Sequence, residues 1–392
     1  MRLPHKCQVC FRRKLRLTPI GSSSSPPAFP LDKVYVGGQN PSSVRPVELG
    51  GHLSRVCQAP LEMIVQKQAY ARAGLAGNPS DGYFGKTVSC LINSFRAEVT
   101  LFQSPELKIE PNRRDHSTFK SMADLVEDIR FSGYYGGIRL IKAAIKKFYE
   151  YLISHDVPYP DRNFTLRYDS DIPLRVGLAG SSAIITATLS ALMEFYEVQI
   201  PKPFLPTLAL RVETQELGIS AGLQDRVIQV YGGCVYMDFD RDHLEEFQYG
   251  RYEEIDPALL PPLYAAYRDA LSEGTEVVHN DLRERWEKGD PKVRQAMVRF
   301  AGIAEEYYHA LREHDLRRAS ELMNQNFDVR AGIIPISQAN WDLINAARNA
   351  GASAKFCGSG GAIVGVYWDD AMYAGLERAM SEIGAKVLKI EF

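Results

Sequence analysis

Beyond residue 60 the apolar positions of this chain repeat with two periods in turn. Segments 62–72 and 88–102 alternate apolar and polar residues and predict β-strands, with Asn78-Pro79-Ser80-Asp81-Gly82 as the turn between them. Segment 137–155 spaces its apolar residues along one helical face and presents a basic outer face. Segment 164–169 alternates again, and a helix follows the glycine/serine stretch at 173–183 to about residue 197. Helices at 205–217 and 222–231 and a strand at 233–239 close the first half. In the second half the helical period covers 263–270, 292–311, 318–329, 341–349 and 370–383. Strands are expected after a glycine turn within 355–368 and at 386–392. Strands and helices mix without regular βαβ alternation, which predicts an α+β chain with a boundary near residue 240.

Composition adjusts this picture mainly at the N-terminus. The chain has 392 residues, 45% of them apolar, enough for one large or two medium cores. Its net charge of −2 hides an asymmetry: the first sixty residues carry nine Lys/Arg against two acids, and the remainder is acidic. An acidic body argues against a nucleic-acid surface, and no stretch is apolar enough over a membrane's thickness, so neither partner is expected. Residues 1–62 contain Gly21-Ser-Ser-Ser-Ser-Pro-Pro and no lasting amphipathic period, and are expected to be disordered. They read as a targeting peptide, as a basic arm, or as a non-native extension ahead of a start at Met63; the last is preferred because the chemical signatures begin abruptly at Ala69. Cys7-x-x-Cys10 has no second pair at zinc spacing, and Cys57, Cys90, Cys234 and Cys357 are scattered. That usage predicts a reduced, intracellular, cytoplasmic protein.

The chemistry concentrates in four places. Pro173-Leu-Arg-Val-Gly-Leu-Ala-Gly-Ser-Ser-Ala183 runs directly into a helix-forming segment. Its glycines permit converging main-chain N–H groups, and the helix dipole adds positive potential, so the loop suits a phosphate. It is neither a dinucleotide fingerprint nor a Walker loop, because the glycines at 177 and 180 lead into serines. Gly85-Lys86-Thr87 fails as a Walker fragment, since Ser80 stands where the first glycine belongs. A buried small-residue packing segment is the competing reading of 173–183. The second place is the turn from Ala71 to Lys86, where Asp81, Tyr83 and Lys86 offer polar groups suited to sugar hydroxyls or a sugar carboxylate. The third is Gly358-Ser359-Gly360-Gly361, with Lys355 nearby as a further charge. The fourth is the segment 222–233 with Asp225, preceded by Glu213 and Glu216 on a predicted helix.

The 173–183 segment resembles the phosphate loop of the GHMP kinases, Pro-x-x-x-Gly-Leu-Gly/Ala-Ser-Ser-Ala, at every fixed position. The other three places follow in that family's order. Arg72, Leu75 and Gly77 match its N-terminal motif, although Asn78-Pro79 stands where Glu-His is usual. That departure removes a carboxylate used by some members and puts transfer of their substrate preferences in doubt. Details of the 71–87, 139–143, 176–184 and 222–231 segments are most similar to the branch that phosphorylates D-glucuronate, over about 63–392.

The resemblance implies a two-domain fold. Residues 63–240 would form the ATP-binding domain, like ribosomal protein S5, and 241–392 a ferredoxin-like α+β domain. It implies that Gly177, Leu178, Ala179, Gly180, Ser181, Ser182 and Ala183 hold ATP phosphates, and that Asp225 is the base, with Arg72 beside it. Gly358, Ser359, Gly360 and Gly361 would close over phosphates and acceptor, together with Asp81, Tyr83 and Lys86. Ser182 and Glu213 would ligate Mg2+, with Glu216 in reserve. The implied reaction is transfer from ATP to the anomeric hydroxyl of the sugar acid, on a salvage route to UDP-glucuronate, by a monomer or homodimer. Arg72, Lys86, Arg175 and Arg226 are the cations near the motifs that could meet a sugar carboxylate, and the residues do not choose among them. A kinase for a heptose phosphate or a neutral hexose, or a non-catalytic sensor, are the alternative readings.

Overall fold

The computed structural model describes residues 63–112, 115, 121–122, 136–268 and 282–392. The expectations for residues 1–62 therefore lie outside the described residues. All the described residues belong to the compact unit Ala59–Phe392.

The N-terminal alternation produces a long antiparallel pair, β1 (Ile64–Ala76) and β2 (Lys86–Ser104). β2 is the hub of the first sheet. It pairs along its C-terminal half with β4 (Asn163–Ser170) and along its N-terminal half with β5 (Cys234–Asp238). The short β3 (Lys108–Ile109) and β6 (Arg251–Ile255) sit at the two edges. Helix α2 (Gly180–Phe195) packs on β1 and β2 of this sheet, and α1 (Gly137–Ser154) packs against α2. Nearly every turn of α2 is buried, from Ser182 and Ala183 to Phe195. A helix apolar on most faces belongs inside, which explains why the glycine/serine loop ahead of it is held in place.

After α2 the chain forms α3 (Leu205–Arg211), which relaxes into a π-helical turn over Val212–Glu216. A loop then leads into α4 (Gln224–Tyr231), and α5 (Arg241–Phe247) starts on Asp240, whose carboxylate accepts from the His243 N–H.

The second sheet has the order β10-β7-β9-β8, with β7 (Leu263–Tyr267), β8 (Lys355–Phe356), β9 (Ala362–Val366) and β10 (Lys386–Ile390). Here one sequence-based expectation is corrected, because 263–267 is a strand and not the start of a helix. All five residues are buried between β10 and β9. A short apolar run buried on both faces shows no strand alternation, so period alone cannot identify it. Helices α6 (Pro291–Arg312), α7 (Leu316–Ala331), α8 (Gln338–Asn349) and α9 (Asp370–Glu382) complete this half. α6, α7 and α9 begin on Asp290, Asp315 and Asp369, each accepting a backbone N–H of the first turn.

Among the described residues no helix is long and apolar enough to cross a membrane.

Candidate functional site

Four separated segments meet at the C-terminal end of β1. Arg72, near that end, is buried and extends its guanidinium between two loops. Its Nε donates to Asp225 Oδ1 at 2.6 Å, and its Nη1 donates to the Gly177 carbonyl at 2.6 Å and the Cys357 carbonyl at 3.3 Å. One side chain thus ties the first turn of α4 to the 173–183 loop and to the β8–β9 hairpin. The two loops are in direct contact there, since a Cβ on Gly358 would collide with the Gly177 carbonyl oxygen and reach within 2.8 Å of Arg72. Only glycine allows that approach.

The 173–183 loop enters α2 through Ala179, which adopts a left-handed conformation at φ 65°. Such a geometry costs an alanine roughly 1 kcal/mol, and its carbonyl is well used in return. It accepts from the Ala183 N–H at 3.1 Å, the Ser182 hydroxyl at 3.1 Å and Gln229 Nε2 at 3.0 Å. The N–H groups of Gly180, Ser181 and Ser182 lie in the first turn, where the helix itself supplies no acceptor. Ser181 is exposed beside them, whereas Ser182 is buried.

Asp81 arrives from the short 3-10 turn Ser80–Tyr83. Its carboxylate fills the space a side chain on Gly222 would need, and Oδ2 accepts from the Gln224 N–H at 3.2 Å. Burial, then the negative charge of Asp225, push its pKa up to about 6. Two carboxylates therefore share the entrance to α4, one of them clamped by Arg72. An acid whose pKa is 3.8 unfolded and about 6 folded weakens the fold once the pH rises through that interval. Asp81→Asn is expected to raise the thermal midpoint above pH 6, with the gain shrinking toward the 3.8 of a free aspartate, as thermal melts across pH will show.

Tyr83 is buried, which pushes its phenol up to about 12 and keeps it neutral. Lys86 points elsewhere. Its Nζ pairs with Glu305 at 2.8 Å and lies 4.0 Å from Asp238, so the structure does not bring it to Arg72 and Asp225. Glu213 is buried in an ion pair with Arg226, which also donates to the Gly222 carbonyl at 2.8 Å. Glu216 faces Lys146 and Lys147 on the outside of α1. With the Ser182 hydroxyl turned to Ala179 and Glu213 held by Arg226, these two residues do not make a ready cation site. Among the described residues no cluster of three or more His, Cys, Asp or Glu suits a metal.

Three supporting residues escaped the sequence reading. Arg330, on α7, donates to the Gly358 carbonyl at 2.9 Å and the Ser359 carbonyl at 2.9 Å. Asn340, on α8, accepts from the Gly361 N–H at 2.9 Å. Asn326, on α7, accepts from the Gly77 N–H at 2.7 Å and donates to the Asn78 carbonyl at 3.1 Å. Lys355 faces inward, donating to Asn78 Oδ1 at 2.6 Å and to the Gly74 and Phe356 carbonyls. Burial, with Arg330 and Arg72 nearby, lowers its pKa to about 7. A signal for two of these existed: Asn326 and Arg330 occupy the apolar stripe Met323, Phe327 of their helix, where a polar group needs a buried partner.

Comparison with known proteins places the chain in a family. The family model described as GHMP kinases N terminal domain matches residues 139–233, and that described as GHMP kinases C terminal matches 307–386. Two relatives come from Arabidopsis thaliana. One named probable glucuronokinase 2 is 44% identical over 308 residues, covering 77% of this chain and 84% of its own length. Another named glucuronokinase 1 is 42% identical over 306 residues, covering 76% and 84%. Among solved structures, a Lactococcus lactis galactokinase complexed with galactose superposes with a TM-score of 0.65 at 14% identity, over 84% of this chain and 93% of that one. The last shows the fold alone. With both family models matched and two relatives above 40% identity over most of their length, the chain belongs to the GHMP kinases and is a phosphotransferase with an alcohol as acceptor.

Proposed function

We propose that this protein is an ATP-dependent sugar-1-kinase. Its acceptor is the anomeric hydroxyl of D-glucuronate, its product glucuronate 1-phosphate, and its place a salvage route to UDP-glucuronate. The observation that carries this reading is the Arg72–Asp225 pair, set against the Gly177 loop and in contact with the 357–361 hairpin. The names of the two Arabidopsis relatives direct it to glucuronate.

In this reading Asp225 takes the proton of the attacking hydroxyl. Its Oδ1 is held by Arg72, while Oδ2 stands 3.6 Å from Arg226 Nη1. Phosphoryl transfer has a loose transition state, so orientation and charge neutralisation carry most of the rate. The first-turn N–H groups of α2 and the 173–183 loop cradle the donor's phosphates. Asp81, Tyr83 and the 358–361 loop border the acceptor, with Arg330 and Asn340 fixing the loop's carbonyls and N–H. Residues 63–240 serve mainly the nucleotide and 241–392 complete the acceptor side. Lys86, committed to Glu305, drops out of the acceptor set. Magnesium would enter with ATP, and holding it at Glu213 requires that carboxylate to leave Arg226.

The test is turnover. The purified chain with ATP and magnesium is expected to phosphorylate D-glucuronate faster than galacturonate, glucose or galactose, measured by ADP release. Turnover with a different sugar alone would remove glucuronate from the reading. Absence of turnover across the panel would remove catalysis of this kind altogether.

A further inference from the structure

A sugar acid needs a cation for its carboxylate, and the structure disposes of most that lie near the motifs. Arg72 is spent on Asp225 and two carbonyls. Lys86 pairs with Glu305, and Arg226 with Glu213. Arg330 donates to two carbonyls of the 358–361 loop, and Lys355 to three acceptors beneath it. Arg175 is engaged as well.

One arginine outside every sequence motif is placed differently. Residues 282–287 form a short helical segment anchored by Leu282, which is fully buried in an apolar cluster with Tyr83, Phe300 and Ile334. Trp286 packs edge-on against the Tyr83 ring, centroids 5.2 Å apart. Between these anchors, Arg283 lays its guanidinium over the same ring at 5.1 Å. An added Cβ on Gly82 would lie 4.0 Å from its Nη2. Arg283 is half-buried and has no acidic partner among the described residues. Tyr83 itself is 8% exposed, and its hydroxyl has no hydrogen-bond partner among the described residues. Tyr83 shares the short Ser80–Tyr83 turn with Asp81, and Arg283, Asp81, Glu287 and Arg330 all lie within electrostatic reach of its phenol.

We infer that Arg283 receives the carboxylate of the sugar acid, with the Tyr83 hydroxyl beside it. The inference rests on the sugar-acid reading and names the residue that selects for it. A planar guanidinium stacked on a ring keeps its N–H edge free and oriented, the form best suited to a two-point contact with a carboxylate. A hexuronate carries its anomeric hydroxyl and its carboxylate on either side of the ring oxygen. The Asp81–Tyr83 turn, with Asp225 at one end and Arg283 at the other, offers complementary partners in that order. Arg241 also stacks on a ring of this turn, Phe84, at 4.2 Å, but both are exposed and face solvent.

The experiment compares the full-length protein with Arg283→Gln and Arg283→Lys, using D-glucuronate and its uncharged C6 counterpart D-glucuronamide. With glucuronate, Arg283→Gln is expected to lower kcat/KM about 100-fold, chiefly through KM, the loss typical of a two-point charge-assisted contact. Arg283→Lys should recover part of it. With glucuronamide the wild type and Arg283→Gln should perform alike, and ATP affinity and thermal midpoint should hold. An unchanged kcat/KM for glucuronate in Arg283→Gln overturns the inference, as does an equal fall with both substrates, which marks a structural role. In either case a wild type that prefers glucuronate leaves the sugar-acid reading standing. A wild type that turns over only neutral sugars or a sugar phosphate overturns both.

Discussion

Asp225→Asn is expected to lower kcat by about a thousandfold while ATP affinity stays within a few-fold of wild type, the range for loss of a positioned general base. Asn keeps an oxygen for Arg72 Nε, so the link from α4 to β1 persists and the 173–183 loop keeps its place. What disappears is the capacity to take a proton and the negative charge facing Arg72. That leaves a buried guanidinium with three neutral acceptors, the introduced amide oxygen and the Gly177 and Cys357 carbonyls, and no opposing charge at position 225. Steady-state kinetics together with nucleotide titration separate the outcomes. A variant that keeps most of its turnover would mean that Asp225 positions Arg72 and takes no proton. A variant that loses ATP binding would mean that the pair is structural.

The second large effect is steric. Gly358→Ala should abolish most activity and cost about 1–3 kcal/mol of stability, the usual range for overpacking a closed contact. The added methyl meets backbone oxygen at Gly177 and the Arg72 guanidinium, neither of which can swing away as a flexible chain end would. Arg330 holds the Gly358 carbonyl from the other side, so the loop cannot retreat without breaking a buried bond. The hairpin and the 173–183 loop must then separate, and Arg72 loses its bridging role. Gly375→Ala is the control, because its Cβ would meet nothing within 4 Å and it lies inside α9. That change should be neutral or stabilising by up to about 1 kcal/mol. Equal effects at both positions, read by chemical denaturation and turnover, would show that crowding at Gly358 is not the cause.

Much of the fold was readable from period. α1 and the helices of the second half fall close to their predicted spans, because each buries one face and leaves another wet, and α2 does so as a continuous helix-forming run that is buried almost throughout. The strand at 263–267 was not readable, since Leu-Tyr-Ala-Ala-Tyr is buried throughout and short. α5 and β6 were missed for the opposite reason. Their residues are mostly exposed, so no apolar pattern marks them, and β6 is specified by its pairing with β5.

At the site, the motifs located Arg72, Asp81, Asp225 and the two glycine loops before any geometry was known. They did not reveal which charges were already matched. Lys86 and Glu213 look available in a linear reading, yet Glu305 and Arg226 neutralise them from 219 and 13 residues away. Arg283 shows the converse, lying outside every motif yet stacked on Tyr83 of the Ser80–Tyr83 turn.

The sequence by itself therefore determined the family, the position of its glycine/serine loop and most of the local elements. Each of these depends on residues close together in the chain: glycines that open the backbone, and spacings that define a face. The tertiary structure alone decided which ionisable groups are spent and which remain to meet a ligand. Charges are compensated by whatever the fold brings within a few ångströms, and burial magnifies that compensation, so availability is a property of contacts between distant segments.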